Sequence, residues 1–180
     1  ALPAGALLPP TAHETRLRLQ RGQQFLRRRL ARTVDEIRSR PRRRFAPDVT
    51  AEASCTQAEI QLAQGEIIQA EESARNAGKL AFEIGHGSLR ATAWRLTSAS
   101  LLRQGRIEQA SEALEIAWQA LLDGPDQLED GRLHVQAMLV ETECKNMEQA
   151  SAHRQEAETI FQNLGASYDL ALLAASAEKG

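Results

Sequence analysis

Apolar residues recur along this chain at helical spacing. After Leu19 come Leu26, Leu30, Val34 and Ile37, at steps of seven, four, four and three, which is one face of a helix. Thr11 with Glu14 forms a capping box at its start, and Pro41 ends it by removing a donor and disfavouring helix in Arg40. Gly22 weakens it by about 1 kcal/mol relative to Ala if it lies in the helix interior. Residues 42–48 read as a connecting loop, with Thr50 as the next N-cap.

Beyond residue 50 the pattern repeats every forty residues. Gln64-Gly65-Glu66-Ile67 leads into Gln69-Ala70, Gln104-Gly105-Arg106-Ile107 into Gln109-Ala110, and Asn146-Met147 into Gln149-Ala150. Small or apolar positions follow at Ala74 and Ala77, then Leu114 and Ala117. In the third copy Ala157 keeps the last place and Arg154 breaks the middle one. Such a period predicts stacked supersecondary units. The helices fall over 51–63, 67–84, 89–103, 128–144, 147–164 and 167–178, with one more from the Gly105 turn to about 122. Ser88 reads as an N-cap after the break at 85–87, and Asp126 with Glu129 reads as a capping box. Asn146 stands in for the turn glycine of the third copy, offset by one.

The resulting organisation is a Pro-rich segment over 1–11, an Arg-rich helix and loop over 12–47, and a helical repeat domain over 48–180. Its repeats cover 51–85, 88–123 and 127–164, followed by the helix over 167–178. Ala and Leu dominate an apolar fraction of 42 %, aromatics are only 4 %, and β-branched runs are nearly absent, so the expected class is all-α. Length suits one domain with a real core.

Charge is unevenly distributed. Residues 1–50 hold twelve Arg and no Lys against four acids, a balance of +8, and the rest of the chain carries −10. The basic segment suits nucleic acid, an anionic surface, or its own acidic partner half. Two cysteines, Cys55 and Cys144, form no disulfide framework or zinc set, and both read as small buried hydrophobes of a reduced, cytoplasmic protein. No apolar run is long enough to span a membrane. The absence of an initiator Met suggests a processed chain or a piece of a longer one.

The second copy is the fullest. Ala91-Thr92-Ala93-Trp94, Ser98, Leu101-Leu102-Arg103-Gln104-Gly105, Ala110, Leu114 and Ala117 together resemble a tetratricopeptide repeat. In that family a Trp near the start of the first helix, a small residue four later and a turn Gly recur, here Trp94, Ser98 and Gly105. The family's unit is shorter than forty residues, and Ser54 and His134 replace the Trp in the flanking copies. The resemblance covers roughly residues 51–178. It implies a right-handed superhelix of antiparallel helical hairpins, with the first helix of each pair lining a concave groove. The stretch from Glu158 to Leu170 is similar to the terminal repeats of large bacterial signalling regulators of the ATPase or cyclase type.

The function implied is a non-catalytic protein-interaction scaffold or regulatory docking module, part of a larger signalling or transcription-regulating protein. Its partner would be a protein, a peptide or another domain of the parent chain. Groove-facing candidates are Glu59, Leu62, Arg95, Ser98, Ala99 and Leu102. The alternative is a nucleic-acid-binding regulator using Arg38, Arg40, Arg42, Arg43 and Arg44, which suit phosphate contact, with Phe45 beside them to stack a base. No catalytic constellation, cofactor motif or metal set is visible. Cys144 and His153 lie across a turn without an orienting group, His134 reads as a packed structural residue, and Glu71-Glu72 and Glu141 with Glu143 read as solvated faces.

Overall fold

The computed structural model describes residues 47–177, with side chains through 175. The chain divides into residues 1–44 and 45–180, and every helix described belongs to the second unit. The expected Arg-rich helix, its Pro-rich lead, and Arg38, Arg40, Arg42, Arg43 and Arg44 lie outside the described residues. Those residues are all-α: α1 Pro47–Gln64, α2 Ile67–Glu83, α3 Gly87–Arg103, α4 Ile107–Asp123, α5 Gln127–Glu143, α6 Met147–Leu164 and α7 Ser167–Ala177.

α1 starts four residues earlier than its sequence pattern suggests. Proline suits a first helical turn, where its missing N–H would have no partner, so Pro47 opens the helix. Thr50 is consequently inside α1, not at its cap, and its carbonyl accepts from Ser54 Oγ at 3.0 Å.

The helix ends repeat one backbone device. After α1, α2, α3, α5 and α6 the chain enters the left-handed region, at Gly65, Gly85, Gly105, Lys145 and Gly165. The next residue's N–H then reaches back to a carbonyl five residues earlier, as in Glu66 to Gln61 at 2.8 Å and Arg106 to Leu101 at 3.0 Å. The third turn corrects the sequence reading. Lys145, at φ 62°, occupies the glycine position, while Asn146 is the residue preceding α6, equivalent to Glu66 and Arg106. α4 ends differently. Pro125 stands in the left-handed place of Gly85 and Gly105, which its ring cannot adopt because it locks φ at about −65°, and Gly124 before it is extended at φ −154°. A Cβ on Gly87 would lie 2.5 Å from the Gly124 nitrogen, so the start of α3 sits directly on the end of α4.

Two cap expectations change. His86, not Ser88, caps α3, its Nδ1 accepting from the Leu89 N–H at 3.2 Å. Asp126 does cap α5, accepting from the Leu128 and Glu129 N–H groups at 3.0 and 3.1 Å. The Glu129 side chain, however, turns away from the cap toward Arg95. Ser88 meanwhile donates to the other oxygen of Asp126 at 2.9 Å, joining the first turns of α3 and α5.

The signature small residues are the core. Ala70, Ala110 and Ala150, and again Ala77, Ala117 and Ala157, are buried, and their size lets helix axes approach closely. Three apolar clusters follow one another along the chain. The first draws on α1 to α3 around Cys55, Leu62, Ala74 and Leu96, and the second on α3 to α5 around Leu101, Leu114, Leu133 and Val140. The third draws on α5 to α7 around Met138, Phe161 and Leu173. Cys55 is buried as expected, whereas Cys144, at the exposed end of α5, is not.

Two ring contacts occupy matching places. Trp94 on α3 rests over Gly78 of α2, where an added Cβ would stand 3.3 Å from the indole Nε1. Forty residues on, Trp118 of α4 meets His134 of α5 edge-on, ring centroids 4.9 Å apart. The large ring comes from the later helix at one junction and from the earlier helix at the other.

Candidate functional site

The odd-numbered helices touch one another as well as their chain neighbours, α1 on α3 and α3 on α5. Polar side chains make the ties. Arg95 in α3 donates from Nε to Glu129 Oε1 in α5 at 2.5 Å, and its Nη2 lies 3.6 Å from Glu59 Oε1 in α1. Gln136 Nε2 donates to Ser98 Oγ at 3.2 Å, and Arg132 in α5 donates to Asp169 in α7 at 2.8 Å. Arg103 reaches the Leu62 carbonyl at 2.5 Å, closing the far ends of α1 and α3 together.

These contacts take up three of the six expected groove residues. Ser98 and Leu62 are buried, Ser98 in its bond to Gln136 and Leu62 in the first apolar cluster. Ala99 and Leu102 pack half-buried against the first and second clusters. Arg95 is held between two carboxylates. Burial opposes its charge, but Glu129 and then Glu59 outweigh that and raise its pKa, so it remains a cation committed to neighbours. Ser98, Leu62 and Arg95 are taken up by neighbours, Ala99 and Leu102 stay partly exposed, and Glu59 borders open space.

That space is a cleft of about 410 Å³ between α1 and α3. Asp48, Glu52, Cys55, Thr56 and Glu59 form one wall, and His86, Ser88, Leu89 and Thr92 the other. A second hollow of about 550 Å³ shares Asp48, His86 and Ser88 and extends along the loop from Asp123 to Asp126. Among the described residues, five carboxylates border the two spaces and no Lys or Arg lines either. Asp126 is held below the usual carboxylate range. Burial works against its charge, but bonds from the Glu129 N–H, Ser88 Oγ and the Leu128 N–H overcome it.

Cys55 is the one thiol in the wall. Burial, reinforced by Glu59, pushes its pKa up to about 12, so it is a neutral thiol at physiological pH and a poor nucleophile. Among the described residues no group of three or more His, Cys, Asp or Glu side chains converges to hold a metal ion. Chemically the cleft offers carboxylate and hydroxyl acceptors, which suit cationic or hydrogen-bond-donating groups.

The cleft wall was present in the sequence without being singled out. Asp48, Glu52, Thr56 and Glu59 follow at steps of four, four and three, a polar stripe on one helix face once α1 is known to begin at Pro47. Glu71, expected on a solvated face, is a junction instead. It accepts from Arg75, Gln104 and Arg106 at 2.9, 2.8 and 3.1 Å and so ties α2 to the turn after α3. Among the described residues no helix is long and apolar enough to cross a membrane. No protein-family model matches the chain, and neither does any curated protein or solved structure.

Proposed function

We propose that this chain is a non-catalytic interaction scaffold, a right-handed array of antiparallel helical hairpins of the tetratricopeptide kind. Its role is to dock a basic peptide or helix of a partner protein, or of another domain of the parent chain, in the cleft between α1 and α3. The observation that carries the reading is the cleft wall, which presents Asp48, Glu52 and Glu59 with no lining cation among the described residues. The forty-residue spacing of Gly65, Gly105 and the left-handed Lys145, and the buried alanines behind each turn, support the hairpin-array architecture. A docking module within a signalling or transcription-regulating protein is the context that such a scaffold fits.

Charge complementarity of this kind sets partner choice and association rate more than raw affinity. The Asp48 and Glu52 side chains are exposed and are not committed to helix packing, so they are free to meet a guanidinium or ammonium group.

The test is fluorescence anisotropy of the full chain with labelled basic, acidic and neutral amphipathic peptides. Basic peptides are expected to bind, with affinity falling as salt rises. Asp48→Arg with Glu52→Arg should weaken them at least about tenfold, a change of about 1.4 kcal/mol. Equal binding of all three peptide classes, or no effect of the charge reversal, overturns the reading. Salt-sensitive binding of DNA or RNA that is lost on Arg42→Ala with Arg43→Ala would favour the nucleic-acid role of the Arg cluster instead.

A further inference from the structure

His134 in α5 and His153 in α6 face each other with their Nδ1 atoms 2.9 Å apart and ring centroids 5.2 Å apart. That distance is a hydrogen bond, and a bond between two ring nitrogens needs one N–H and one lone pair. We infer that His134 and His153 form a single-proton latch across the α5–α6 interface, which loosens when both rings become protonated.

The surroundings decide which ring donates. Asp130 Oδ1 lies 3.9 Å from His134 Nε2, one turn earlier on the same helix. A carboxylate there favours the tautomer carrying its hydrogen on Nε2, which leaves His134 Nδ1 as the acceptor and makes His153 Nδ1–H the donor. A proton placed on Nε2 of His153 would leave the inter-ring bond intact and make it charge-assisted. A second proton has only His134 Nδ1 to occupy. It turns the acceptor into a donor, sets two N–H groups face to face, and places two imidazolium cations in contact.

The charged groups acting on His134 are Asp130 on its own helix, and His153 and Glu156 on α6. α4 contributes the uncharged edge of Trp118. Burial lowers the His134 pKa below its ordinary 6.5 and His153 lowers it further, and together they prevail over the opposing pull of Asp130 and Glu156. A histidine depressed in the folded state contributes stability that is present above 6.5 and lost as pH falls through the folded value. The latch is therefore closed at neutral pH and opens in mild acid. Its opening acts first on α5 and α6, because the two rings sit on those helices and face one another.

The experiment is an NMR titration of the imidazole resonances of the full chain between pH 8 and about 4.5, with amide hydrogen exchange at both ends of the range. The two rings are expected to titrate as one coupled pair in two steps, the second well below the first. His153→Gln should return His134 to a single step. Amide protection in α5 and α6, corrected for the intrinsic pH dependence, should fall at least about tenfold more than in α1 and α2 on acidification, the equivalent of one pK unit. His153→Gln should remove that excess. If this variant does not fold, His134→Asn supplies the same comparison. Two independent single-step titrations near the ordinary value overturn the latch, as does uniform loss of protection in all helices. A wild-type titration that shifts when a chelator is added overturns it too, by placing a metal ion between the rings.

Discussion

Arg95 and Glu129 meet across the α3–α5 contact, guanidinium Nε to carboxylate at 2.5 Å, with the Glu129 residue only 3 % exposed. A carboxylate that deep depends on its cation. Arg95→Met should destabilise the chain by about 3–5 kcal/mol, because Glu129 is left buried and unpaired. Arg95→Met combined with Glu129→Met should recover most of that loss. Urea denaturation of the two variants checks it, and strictly additive costs would contradict the pairing.

Lys145 holds the left-handed conformation that glycine holds at Gly65 and Gly105. An L-residue there crowds its Cβ against the following carbonyl, at a cost of about 1–2 kcal/mol. Lys145→Gly should therefore stabilise the chain by about 0.5–1 kcal/mol after the greater freedom of unfolded glycine is subtracted. Gly105→Ala should do the opposite by a similar amount. The denaturation midpoint should shift with the slope unchanged.

The two thiols should separate by reactivity. Cys55 is buried with its pKa pushed up to about 12, while Cys144 is exposed. Iodoacetamide at mildly alkaline pH should add one label to the folded chain and two to the denatured chain, as read by mass spectrometry. Rapid double labelling under native conditions would mean that the α1–α3 wall opens far more readily than its packing implies.

Asp126 anchors the first turn of α5 and holds Ser88 of α3. Its pKa is lowered from 3.8 in the folded state, so its stabilising contribution is complete above that value and is lost as pH falls through the lower folded one. Asp126→Ala should cost about 1–2 kcal/mol at neutral pH, the usual worth of an N-cap. Asp126→Asn keeps the cap acceptor and drops the charge. The gap between wild type and Asp126→Asn should narrow as pH is lowered below 3.8, which denaturation at several pH values measures.

Helix positions were legible in the sequence because they depend on local signals. The turn glycines, the alanines behind them and the apolar steps place both ends of six of the seven described helices within a residue or two. What the sequence hid depends on partners far along the chain. Asp126 and Glu129 have the spacing of a capping box, and locally Glu129 would reach back to its own cap. Arg95, thirty-four positions away, offers a full cation in a buried setting and wins that competition. Ser88 fails as a cap for the same reason, since Asp126 takes its hydroxyl from thirty-eight positions away. Burial of Ser98 and Leu62 was likewise unreadable, because a helix's spacing reveals that it has faces without saying which face meets its neighbour.

The alternating ring junctions bear on how helix pairs at this forty-residue spacing tolerate duplication or deletion. Here the Gly78–Trp94 and Trp118–His134 contacts key each unit to its own neighbour. Copying the middle unit in tandem would bring Trp118 against a second Trp94, two large rings in a space built for one. Excising it would set Gly78 against His134 and leave a void where an indole belongs. The units look interchangeable in the sequence, yet the order in which they stand is written into their seams.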